Sequence, residues 1–173
     1  MKKRGQVWIE TVTYTLVALV MIGLVLAFAK PKIEEMQDQA VIQQSIKMIK
    51  EIDSVIKEVG EKGIGNKRKL EINLKKGEFK IDSENDTLIF YLESSYMYSQ
   101  PGQEYQEGNL NITTEEKGKI YEITIKQQFS PKYNLTYSLK EETKEIFKAS
   151  TPYFLFITNN GGTINDNIDF ELS

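Results

Sequence analysis

The chain has no cysteine and no histidine. Without cysteine there is no disulfide framework and no thiolate nucleophile. Without histidine as well, zinc centres of the Cys/His kind and histidine-based catalytic triads are excluded. A site built from carboxylates alone, for calcium or for glycoside hydrolysis, stays open. Excess positive charge is also missing: the formal net charge is −3. No basic stripe interleaved with aromatics runs along the chain, which argues against a nucleic-acid partner. Proline is scarce, with four in 173 residues. No internal repeat or low-complexity tract is present, so the length suits one folded domain plus any separate terminal segment.

What is present begins at the N-terminus. Lys2, Lys3 and Arg4 form a short basic head that ends at Gly5. From Thr11 to Ala29 there is no charged residue, a run of about 19 residues against the roughly 20 that a helix needs to cross a bilayer. One carboxylate, Glu10, stands at the lip of this run, where lipid makes an ionised group costly unless it finds a partner. A cut after Gly5 would supply one, because the new amino group on Gln6 is positive and Glu10 would become the fifth residue. That cut would take the chain's −3, less the three positives of the basic head, to −6.

Together, the basic head, Gly5 followed by Gln6, Glu10 five residues on and the long apolar helix resemble the class III signal of type IV pilin-like proteins in its archaeal form. The resemblance covers Lys2 to Ala29. It implies a prepilin peptidase that removes residues 1–5 on the cytoplasmic side. It also implies a helix that first anchors the precursor in the membrane and then packs among identical subunits in a filament core. Glu10 would pair with the amino terminus of a neighbour, and the product would be an extracellular filament at the cell surface. Three simpler readings compete. An ordinary secretory signal could be cut after Ala27-Phe28-Ala29, although the apolar run exceeds the usual h-region and Pro31 follows closely. A plain single-pass anchor with a ligand- or partner-binding outer domain gives Gly5-Gln6 and Glu10 no purpose. A buried core helix does not explain the basic head.

After Lys30-Pro31-Lys32, apolar residues recur at helical spacing. Ile33, Met36 and Ala40 open a stripe that Val41, Met48, Ile52, Val55 and Val59 continue, with Ile42, Ile46, Ile49 and Ile56 beside it. The spacing predicts one helix over 6–60, apolar over 11–29 and amphipathic over 32–59, kinked at Pro31 and stopped by Gly60, Gly63 and Gly65. Read from Gln6 to Val59 it would be about 54 residues and roughly 80 Å long.

From Lys67 the period changes to two. Strands are expected around Leu70–Leu74, Phe79–Ile81, Thr87–Leu92, Tyr96–Tyr98, Leu110–Ile112, Ile120–Phe129, Tyr133–Leu139, Pro152–Ile157 and Ile168–Leu172, with Asn159–Gly162 as the last turn. Eight or nine short strands at this spacing predict an antiparallel β-sandwich-like head over 67–173. The fold class is therefore α+β.

Candidate chemistry is sparse. Asn85-Asp86-Thr87, Asn111-Ile112-Thr113 and Asn134-Leu135-Thr136 match the acceptor pattern for N-glycosylation, all beyond the apolar helix, and Asn85 falls in an expected turn. Asp166, Asp169 and Glu171 read more simply as strand polarity than as a cation site, since no EF-hand-type loop is present. Glu34-Glu35, Glu115-Glu116 and Glu141-Glu142 read as solvated surface. The tyrosines at 96–98, 105 and 133–137 could make an adhesive face, but cross-strand packing explains them at less cost. No catalytic residue, metal ligand or cofactor is expected. The three positives before the apolar run put the basic head in the cytoplasm and the β-rich domain outside.

Overall fold

A computed structural model describes residues 3–173, with side chains from Val7 onward. It is α+β: one helix, α1 (Lys3–Lys62), followed by ten strands. The chain divides after Gln37 into two compact units, described separately below.

The first unit is the apolar half of α1. The helix assignment continues through Pro31, which lies inside it. The second unit opens at Asp38 and holds the rest of α1 and all the strands. Ile42, Ile46, Ile49, Ile52, Ile56 and Val59, spaced three and four apart, bury completely or nearly so in the core. Ile33, Met36 and Ala40, expected to open this stripe, do not belong to it: all three are exposed, Ile33 at 52% and Met36 at 61%. The buried run opens one turn later, where Asp38 is bound.

Gly60 lies within the helix rather than ending it: a Cβ there would sit 2.7 Å from the Tyr133 hydroxyl. Its bare Cα lets the buried ring lie against the last turn. The stop is at Gly63, whose φ of +84° takes the chain out of the helix. The Asn66 amide donates to the carbonyls of Lys62 and Gly63 at 2.8 and 2.9 Å. Helix-end carbonyls that would otherwise lack donors are met in this way.

The strands are β1 (Lys67–Ile72), β2 (Glu78–Asp82), β3 (Thr87–Ser94), β4 (Glu104–Glu107), β5 (Leu110–Lys117), β6 (Ile120–Gln128), β7 (Tyr133–Tyr137), β8 (Lys144–Phe147), β9 (Tyr153–Gly161) and β10 (Asp166–Leu172). They form a four-stranded sheet ordered β1-β9-β10-β7 and a six-stranded sheet ordered β4-β5-β6-β3-β2-β8. Every pairing is antiparallel except β10 with β7, which is parallel and brings Ile168 beside Leu135. The helix stripe and alternate residues of both sheets, among them Phe79, Phe90, Ile125, Leu155 and Phe170, make one continuous core. Among the described residues no buried side-chain polar atom lacks a partner.

The strand expectations need four corrections. Tyr96–Tyr98 is not a strand. There the Ser94 hydroxyl bonds both the amide and the carbonyl of Tyr96, and the Ser95 amide donates to Asp38, so side chains satisfy backbone groups that a ladder would otherwise take. β7 ends at Tyr137 because Ser138 and Leu139 adopt φ of 51° and 65°. Asn159–Gly161 continues β9 instead of turning. The buried Asn159 donates to the Val59 carbonyl of α1 and accepts from the Gly161 amide, so both ends of its side-chain amide are used within the core. Finally, β4 and β8 were not legible. Both are four-residue edge strands, too short and too charged to show a period of two.

Candidate functional site: an uncovered apolar helix

In the first unit, Val7 to Phe28 carry apolar side chains with no cover, from Trp8 at 70% exposure to Phe28 at 79%. The most apolar 18-residue window of the helix has a mean hydropathy of 2.4, with none of it buried. By length and composition this helix can cross a membrane. Three of its polar residues suit such a setting. The hydroxyls of Thr11, Thr13 and Thr15 donate to the carbonyls of Val7, Ile9 and Thr11 at 3.0, 2.8 and 2.9 Å. A hydroxyl bonded to its own helix needs no water and costs little in lipid or in an apolar core. Just beyond the run, Lys32 bonds Glu35 at 2.7 Å and Lys30 approaches Glu34 to 3.9 Å, marking the return to a polar surface.

Glu10 is exposed on the first turns of this helix, beside the threonines. The expected cut between Gly5 and Gln6 falls outside the fully described residues. Pro31 lies on the helix between the apolar run and the paired glutamates.

In the second unit, Asp38 fixes α1 to the β-rich domain. The residue is 5% exposed, and its carboxylate accepts from the amide and hydroxyl of Ser95 at 2.7 and 2.9 Å and pairs with Lys76. Burial alone would raise its pKa, but the bonds from Lys76 and Ser95 outweigh burial and hold it below its ordinary value. Sequence reading missed this residue. An acidic position at the start of a buried stripe was the only available signal.

All three glycosylation-pattern asparagines are exposed, but their surroundings differ. The Asn85 amide, in the turn before β3, donates to both Asp82 oxygens at 3.2 and 3.1 Å, and Thr87 is fully buried. On β7, Asn134 accepts from Asn165, and the buried Thr136 hydroxyl is bonded to Asn167 and Asp169. Asn111 and the half-buried Thr113 lie on the outward face of β5, and no hydrogen bond within the described residues engages their side chains. The carboxylates of β10 do not converge. Asp169 is held by Thr136 and the Leu139 amide, whereas Glu171 pairs with Lys67.

Two of the tyrosines that the sequence offered as an adhesive face or as cross-strand packing do come together. Tyr98, after β3, and Tyr105, on β4, meet edge to face, with ring centroids 6.1 Å apart and planes at 72°. Their rings form two walls of a pocket of about 460 Å³ completed by Ser99, Gln100, Gln103 and Glu104.

Compared with protein-family models, with curated proteins and with solved structures, the chain matches none.

Proposed function

We propose that the chain is a structural subunit of an extracellular type IV pilus-like filament of the archaeal kind, made as a membrane-anchored precursor and cut between Gly5 and Gln6 by a prepilin peptidase. The observation that carries this reading is the uncovered apolar helix from Val7 to Phe28, attached to a second unit whose core is complete without it. At about 25 cal/mol per Å² of apolar area, covering such a helix is worth tens of kcal/mol against water. It therefore resides in lipid or among other helices. Transfer from lipid to a shared helical core gains much less, because lipid tails are equally apolar, and close packing must supply the difference. In this reading Glu10 provides register as well, by meeting the positive N-terminus of an adjacent subunit inside the apolar core. The partners are identical copies, the peptidase and, before assembly, the membrane.

A second reading keeps the same helix in the bilayer as a permanent single-pass anchor, with the β-rich domain binding a ligand outside. Its favouring observation is the Tyr98–Tyr105 pocket.

Glu10→Ala separates the two. In cells that make the protein, surface filaments sheared from the variant should fall about tenfold or more, equivalent to about 1.4 kcal/mol or more of lost coupling. The membrane-bound precursor should remain at normal abundance. Sheared filaments at unchanged yield would contradict the filament reading.

A further inference from the structure

We infer that the Tyr98–Tyr105 corner is a binding site for a neutral saccharide, with a pyranose ring seated in the corner against the two phenol rings and its hydroxyls read by Gln100, Gln103 and Glu104. The inference does not depend on how the N-terminal helix is used, since every residue of the pocket lies in the second unit.

Shape is the first argument. Two aromatic planes at 72° make an open corner, and a volume of about 460 Å³ falls within the roughly 300–1,000 Å³ of small-ligand sites. A pyranose presents C–H groups on its faces and hydroxyls around its rim, so one ring can lie beneath it while the other meets its edge. The corner is also held in place. The Tyr98 hydroxyl donates to Glu107 at 2.8 Å, and Glu107 is in turn bound by Lys50 of α1 at 2.6 Å. The buried Thr114 hydroxyl lies 2.7 Å from the Ser99 hydroxyl and accepts from the Ser99 amide, while the Thr114 carbonyl accepts from the Gly102 amide at 2.9 Å. Loop 99–102 is thereby fixed before any ligand arrives, which lowers the ordering cost of binding.

Chemistry is the second argument. No lysine or arginine lines the pocket, so it offers no cation to phosphate, sulfate or a uronic acid, and the Glu104 carboxylate would repel them. Two amides and a carboxylate, by contrast, donate and accept in the mixture that vicinal hydroxyls require. No hydrogen bond within the described residues engages the side chains of Gln100, Gln103 or Glu104. Tyr105 is 48% exposed, an amphipathic ring open to a ligand.

The test is saturation-transfer NMR on the full chain in a polyoxyethylene detergent, which carries no sugar. The probes are the methyl glycosides of glucose, galactose, mannose and N-acetylglucosamine, titrated through about 1–10 mM, where single-sugar binding in an open pocket is expected. At least one glycoside should receive transfer, strongest on the C–H protons of one face. Tyr105→Ala should weaken binding at least tenfold and Gln100→Ala/Gln103→Ala severalfold. Tyr105→Phe, which keeps the ring, should retain most of it. Phe147→Ala, which removes an exposed aromatic on the opposite edge strand β8, should leave it unchanged. Absence of transfer to all four probes, persistence of transfer in Tyr105→Ala, or equal loss in Phe147→Ala would overturn the assignment.

Discussion

Asp38 is a carboxylate placed where burial should discourage one, and three donors reverse that cost. Two come from Ser95 and one from Lys76, so a single helix residue binds both the β1–β2 connection and the chain leaving β3. Removing it breaks the charge-assisted bonds from the Ser95 amide and hydroxyl in a partly buried site, whereas Lys76 stays near solvent and loses little. Asp38→Ala should therefore lower stability by about 2 kcal/mol, the loss expected from breaking charge-assisted hydrogen bonds in a partly buried site. Urea unfolding of the full chain in detergent would show it as a lower midpoint with an unchanged slope, and a shift below about 0.5 kcal/mol would contradict it. The pH dependence has a definite sign. The folded-state pKa lies below the ordinary 3.8, so the contribution is fully present above that value. It is lost as pH falls through the lower folded value, and Asp38→Ala should lack this part of the acid dependence.

Elements divide into those with a strong period and those without. The apolar half of α1 was legible because a run without charge has few other meanings, and its amphipathic half because Ile42 to Val59 keep a helical spacing. Central strands were legible in two ways: β6 by its alternation, and β3 and β9 by short, continuously apolar runs. Edge strands β4 and β8 were not, since half their backbone and most of their side chains meet solvent. Glycine was ambiguous for a similar reason. Gly63 ends the helix through its backbone angle, while Gly60 sits inside it for the space it leaves. That distinction is testable. Gly60→Ala gains up to about 1 kcal/mol of helix propensity, but its Cβ would meet the buried Tyr133 ring at 2.7–2.8 Å, and overpacking of this kind costs about 1–3 kcal/mol. The expected net effect is a loss of about 1 kcal/mol in the unfolding midpoint. A stabilised variant would mean that Tyr133 can move aside.

At the scale of the whole molecule, composition and period gave the α+β class and the order of helix then strands. What they could not give was which distant residues meet. Tyr98 and Tyr105 come together only because loop 99–102 is held by Thr114 and β4 is paired to β5. The parallel β7–β10 pair likewise joins strands separated by two others in sequence. At the other end of the chain, the proposed filament role makes the apolar helix an assembly element exposed by one specific cut. The most direct measurement is the intact mass of the mature polypeptide extracted from its native membrane or filament. A filament subunit should begin at Gln6, as glutamine or its cyclised form. A chain beginning at Met1, a plain anchor, or at Lys30, a secreted domain, would contradict it.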